Sequence, residues 1–184
     1  GVTTGDNNVA VGYQSALALT SGASNVLLGK GAGSALTTGS YNIAVGQSAL
    51  GAEDGHGRNV AIGYAALNVL NAGADGHNVA IGMEAGVAMT TGVQNTLIGG
   101  SAGDALTTGT RNIAVGKDAL STSVDGDYNT AIGYKALEDY EDGDGNGHNT
   151  AVGNSSQLNA TTGEFNTSLG SLSMGTGVTT GGYN

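Results

Sequence analysis

The residues best able to do chemistry lie in YEDGDGNGHN, positions 140 to 149, where Asp142, Asp144 and Asn146 alternate with glycines. Alternating oxygen donors around a sharp turn are the pattern of a calcium loop, since a hard cation gathers about 6–8 oxygens from tightly bent chain. The match stops early. Counted from Asp142, the twelfth position should be a bidentate Glu, and it is Gly153. Nor does a helix–loop–helix pattern surround it. The reading is a solvated acidic turn, with a low-affinity calcium site at Asp142, Asp144 and Asn146 as its alternative; no other cofactor is expected.

Other chemical motifs dissolve in the same way. Gly99-Gly100-Ser101-Ala102-Gly103 has the form of a nucleophile elbow, but no His or acid is spaced to serve Ser101. GKGAGS at 29 to 34 lacks the glycine spacing and the Lys-Ser/Thr pair of a phosphate loop. His56, His77 and His148 fall in irregular turns, DGHGRN, ADGHN and NGHN, and read as polar turn residues without a metal motif. The five Lys and Arg residues are too scattered for a lyase-like catalytic row. No enzyme is expected.

What positions all these residues is a repeat. The phrase Asn-x-(Ala/Leu/Ser)-aliphatic-Gly occurs ten times, beginning at Asn8, Asn25, Asn42, Asn59, Asn78, Asn95, Asn112, Asn129, Asn149 and Asn166. The steps from Asn to Asn are 17, 17, 17, 19, 17, 17, 17, 20 and 17, and 18 more reach Asn184. Constant spacing, with every length change confined to a few places, is the signature of stacked coils. On alignment Ser101 and Lys30 become ordinary repeat positions, and 140 to 149 becomes the turn between the eighth and ninth coils, lengthened by three residues. Residues 1–184 are thus one repeat domain, and the matching ends GVTTGDNN and GVTTGGYN suggest a segment of a longer fibre.

The composition agrees with a thin rod. Thirty-five glycines, no Pro, no Cys, no Trp and one Phe leave mainly Ala, Val and Gly to fill an interior. A net charge of −10, with seven of the fifteen acids between Asp125 and Asp144, excludes a phosphate-binding surface and hence nucleic acid. No run is long and apolar enough for a membrane span.

Within a coil, Val, Ile or Thr follows the Asn, and another aliphatic residue comes two places later. Alternation predicts a strand with these two on one face and the intervening Ala on the other. A second apolar segment (SALAL, QSAL, YAAL, KDAL) is expected to form a second short strand, and Thr-Thr-Gly returns the chain. Stacking about 4.8 Å per coil gives a rod on the order of 50 Å long. The Asn column is expected to form an amide ladder that fixes register. Core volume is expected to be exchanged between slots: Leu50, Leu67, Leu120 and Leu137 share one position, which Gly33, Gly86 and Gly103 occupy in coils that add Leu36, Met89 and Leu106 three residues on. A strand apolar on both faces needs a second layer, which further copies of the chain can supply, so a homo-oligomer is expected.

One residue before each Asn runs a column that from Tyr41 onward carries long side chains with planar groups: Tyr41, Arg58, His77, Gln94, Arg111, Tyr128, His148, Phe165 and Tyr183. In a stack these planes lie close enough to pile on one another, with Arg over aromatic as a cation–π pair. The structural reading is a ladder that covers a turn or packs on a neighbouring chain. The functional one is a strip that holds sugar rings or a receptor, drawn on Tyr41, Arg58, His77, Arg111, Tyr128, His148, Phe165 and Tyr183. Tyr13, Tyr64 and Tyr134 form a sparser second set. The Thr-Thr-Gly turns raise ice binding, against which the interrupting Asp-Gly turns count.

At NVAIG (59 and 78) the chain resembles the repeats of YadA-like heads in trimeric autotransporter adhesins, and TTGSYNIAVGQSAL (37 to 50) and TTGTRNIAVGKDAL (107 to 120) resemble repeats of bacteriophage tail fibres. The likeness covers essentially the whole chain, whose 17-residue period is longer than that of such heads. It implies an all-β fold, a left-handed parallel β-roll or β-solenoid of about ten 17-residue coils assembled as a homotrimer. It also implies an extracellular place, on a cell surface or as a virion appendage, and a structural or adhesive role toward a host receptor or surface glycan. A calcium- or glycan-binding module acting through the irregular acidic turns is the alternative.

Overall fold

A computed structural model describes residues 4–140, 147–175 and 182–183. Its regular elements are ten three-residue strands, one per coil: β1 Val9–Val11, β2 Val26–Leu28, β3 Ile43–Val45, β4 Val60–Ile62, β5 Val79–Ile81, β6 Thr96–Ile98, β7 Ile113–Val115, β8 Thr130–Ile132, β9 Thr150–Val152 and β10 Thr167–Leu169. They form one parallel sheet in strict chain order, a β-solenoid. Equivalent residues pair throughout, from Val9 with Val26 to Thr167 with Thr150, including across the two longer steps, where Val60 pairs with Val79 and Thr130 with Thr150. Among the described residues there is no helix, and none is long and apolar enough to cross a membrane.

The second expected strand is replaced by a ladder of turns. In each coil two residues after the strand are left-handed, for example Ser48 (φ 58°) and Leu50 (φ 51°), or Asp118 (φ 57°) and Leu120 (φ 54°). Their amides point in opposite directions along the stack. Ser48 donates to the Lys30 carbonyl of the coil before, and Leu50 to the Ala66 carbonyl of the coil after. Asp118 and Leu120 repeat this toward Gly100 and Ala136. Each left-handed non-glycine residue costs on the order of 1 kcal/mol, and the conformation persists because it places buried amides on partners in both neighbouring coils. This is why the second apolar segment of each coil is not extended.

The core is a narrow column. Ala at the middle of β3, β4, β5, β7, β8 and β9 (Ala44, Ala61, Ala80, Ala114, Ala131, Ala151) points inward and is wholly buried, and Leu27 and Leu97 take that place in β2 and β6; at the ends of the stack Ala10 is exposed and Ser168 is buried. The exchange of volume between slots holds only in part, since Leu67 with Leu70 and Leu137 with Tyr140 fill both slots of one coil, and where it holds it has a third partner. A Cβ on Gly33 would stand 2.8 Å from Leu27, and one on Gly103 would stand 2.8 Å from Leu106 and 2.9 Å from Leu97. So the larger strand residue occupies space that Leu50 or Leu120 fills in other coils, as close packing requires. Coils also approach backbone to backbone. Gly116 ends β7 at φ 140°, and a Cβ there would lie 2.3 Å from the Gly133 carbonyl oxygen, which leaves room for no other residue.

The outer face of the sheet is different. Residues on either side of the inward Ala, such as Ile43, Ile98, Ile113 and Ile132, remain 38, 37, 40 and 38 % exposed. Within one chain the sheet is covered on its Ala face and open on its Val/Ile face.

Candidate functional site

Two columns rise side by side along the rod, one residue apart in each coil. The inner one is the asparagine ladder. Asn25, Asn42, Asn59, Asn95, Asn112, Asn129, Asn149 and Asn166 have no exposed surface, and Asn78 has 1 %. Each side chain joins two coils. Its Oδ1 accepts the backbone N–H of the next asparagine, at 2.9 Å for Asn8 to Asn25, Asn25 to Asn42 and Asn95 to Asn112. In most coils its Nδ2 reaches the carbonyl at the end of its own coil, Gly39 from Asn25 (3.0 Å), Gly92 from Asn78 (2.9 Å), Gly109 from Asn95 (2.8 Å) and Gly126 from Asn112 (2.6 Å). At the two longer steps Asn59 Nδ2 turns back to Gly57, and Asn129 Nδ2 has no partner among the described residues. The expected amide-to-amide ladder is therefore only part of the arrangement. Such contacts occur, as from Asn25 to Asn8 at 3.0 Å, but the repeated bonds run from side chain to backbone. A shorter or apolar residue could not serve both backbone groups.

The outer column is exposed, and its residues are left-handed in every coil, from Ser24 (φ 59°) through Arg111 (φ 58°) to Tyr183 (φ 65°). That conformation throws each side chain out to the surface, beside its equivalents. Tyr128, His148, Phe165 and Tyr183 stack with ring centroids 4.7, 4.8 and 4.9 Å apart and planes within 6°. These separations follow the coil spacing. Arg111 extends the pile downward. Its guanidinium lies 5.2 Å above the Tyr128 ring and donates to the Tyr128 hydroxyl and, at 2.8 Å, to Gln94 Oε1. A second group forms lower down, with Arg58 5.6 Å over Tyr41 and ion-paired to Asp75. His77 lies between the two groups in the column, its Nδ1 3.2 Å from the Asp75 carbonyl. The expected planar ladder is thus present, and it has a chemical consequence. The faces of His148 and Phe165 are covered by neighbouring rings, so the strip offers edges where a sugar needs faces.

The remaining sequence candidates fall into place. Asp142, Asp144 and Asn146 lie outside the described residues. Ser101 occupies a left-handed position (φ 53°), its amide bonded to the Met83 carbonyl, as an ordinary member of the turn ladder. Lys30 lines an open groove of about 380 Å³ with Gln14, Ser48, Asn68, Ala52 and Val69. Tyr134 is flanked by Lys117 and Lys135 at 5.9 and 5.7 Å. Turn threonines direct their hydroxyls at protein. Thr37, Thr90 and Thr107 donate to the Asp54, Thr107 and Val124 carbonyls of the next coil at 2.8, 3.2 and 3.0 Å, which is not a free hydroxyl array for ice.

One residue escaped sequence reasoning. Glu53 has no exposed surface, although it occupies the repeat position of Leu19, Leu36, Leu70, Met89 and Leu106 in the core column. Burial pushes its carboxyl above the usual range, against the opposing pull of amide hydrogen bonds from Ala72 and His56. The signal was available as a charge at a position its neighbours fill with apolar side chains. No family model, curated protein or solved structure matches this chain.

Proposed function

We propose that the chain is a non-enzymatic structural and adhesive segment of a trimeric extracellular appendage, a phage tail fibre or a bacterial surface adhesin. The coils wind left-handed in this reading, and three chains pack around one axis. The observation that carries it is the outer face of the sheet. Ten strands align a continuous row of Val, Ile, Leu and Thr along the rod, and the row stays open in a single chain. Contiguous exposed apolar surface of this kind marks an interface, and two more copies offer the same row in the same register.

Sedimentation equilibrium of the folded protein tests the assembly: a trimer is expected, and a monomer overturns it. Ile113→Lys with Ile132→Lys should convert the trimer to smaller species while the Ala face and the ladders stay intact. The receptor or glycan role rests on the outer column through the exposed edges of its rings, since the faces of His148 and Phe165 are covered. Tyr128→Ala with Phe165→Ala should leave the trimer in place, and unchanged binding to cells or glycan arrays would make the column structural only.

A further inference from the structure

We infer that Glu53, Asp54 and His56, in the turn between the third and fourth coils, form a site for one divalent transition-metal ion of the zinc class. One ligand atom from each lies within 4.8 Å of the others, and among the described residues this is the only such set of three. Two independent features point to an ion. The first is Glu53 itself, a carboxylate withdrawn completely from water at a position where neighbouring coils place Leu36 and Leu70. Its Oε1 accepts from the His56 amide at 3.1 Å and its Oε2 from the Ala72 amide at 3.4 Å, both neutral donors, so that only the His56 ring, 3.5 Å away, faces it with a group that can carry charge. The second is His56 Nδ1, a buried atom of a ring that is otherwise 35 % exposed, which has no hydrogen-bond partner although it lies 3.5 Å from Glu53 Oε1.

That pairing is poor for a hydrogen bond and right for two atoms that share a metal. Bonds of about 2.0–2.2 Å at tetrahedral angles hold neighbouring ligand atoms about 3.3–3.6 Å apart. The other histidines are engaged elsewhere: His77 Nδ1 with the Asp75 carbonyl, and His148 between two rings. An imidazole nitrogen with two carboxylates suits zinc, cobalt or nickel, whereas calcium and magnesium prefer oxygen alone. Two carboxylates also neutralise the dication, so the buried charge of Glu53 is answered. Asp54 is exposed and faces the solvent side, where water takes the fourth position.

The backbone of the turn is already fixed. The Asp54 carbonyl accepts from the Thr37 and Thr38 amides at 2.6 and 3.2 Å, and the His56 carbonyl accepts from Asn42 Nδ2 at 3.2 Å. The ligands thus sit on a rigid element, clamped by the core asparagine ladder.

The test is isothermal titration of the chelator-treated full chain with zinc chloride, followed by cobalt(II) substitution. One saturable zinc per chain is expected, with a cobalt spectrum of tetrahedral intensity. His56→Ala and Glu53→Leu should each weaken zinc by more than about 100-fold, since changes in the outer shell alone cost about 10–100-fold. Glu53→Leu keeps the core column filled, so it reads binding without loss of the fold, and His77→Ala should bind as the parent does. Absence of saturable zinc in the parent, or undiminished binding in Glu53→Leu, overturns the site.

Discussion

The two ladders are neighbours in sequence and opposites in tolerance. At one position every coil writes Asn; one residue earlier the same coils write Asn, Ser, Tyr, Arg, His, Gln and Phe. The difference comes from which backbone groups depend on the side chain. An inner asparagine such as Asn112 is the partner of one buried amide and one buried carbonyl, so an apolar residue there leaves both without a bond. An outer residue holds no backbone group in this way. It must accept a left-handed backbone and then interacts only with the residues above and below. A repeat can therefore be rigid where backbone is satisfied and free one residue away.

Substitutions along the columns can break or sharpen this contrast. The largest effect should follow Asn112→Ala, which strips the Asn129 amide of its acceptor and the Gly126 carbonyl of its donor. A loss of about 2–5 kcal/mol is expected, read from the midpoint of chemical denaturation; a loss below that of any outer-column change would overturn the distinction. His148→Ala should come next. It opens the pile between Tyr128 and Phe165, and two ring contacts are worth about 1–2 kcal/mol together, while His148→Phe should restore most of the loss. Arg111→Ala removes a cation from the exposed Tyr128 face and should cost about 0.5–1 kcal/mol, a difference that shrinks when the melt is repeated in high salt. Least of all, Ser24→Gly should fall within about 0.5 kcal/mol of the parent, because relief of the left-handed strain is offset by the freedom glycine gains when unfolded. A marked destabilisation at Ser24 would mean that the outer column carries backbone after all.

Much of this architecture was legible from spacing alone. The asparagine period gave the coils and their stacking, alternation gave the inward Ala, and the planar column gave the ring pile and both arginine contacts. The second half of each coil was not legible. SALAL and QSAL hold residues with no preference for left-handed backbone, and their conformation is imposed by amides of adjacent coils, a relation that no local window contains. The same holds for the asparagine Nδ2, whose partner is fourteen residues away in most coils. Glu53 was hidden for another reason: in a short acidic turn its charge looked like solvation, and only its place in the column shows it to be interior.

The uniform strand pairing makes length a quantised property. Because Ile43 meets Val60 as Val9 meets Val26, deleting one whole unit rejoins like with like and leaves every kind of bond in place. Recombination between repeats can thus shorten or lengthen such a rod in steps of about 4.8 Å, with no new interface to be invented. Residues added in other numbers are pushed into the returns, as in the 19- and 20-residue steps, where β4 with β5 and β8 with β9 keep their register. The molecule is built like a ruler whose graduations are inherited one at a time.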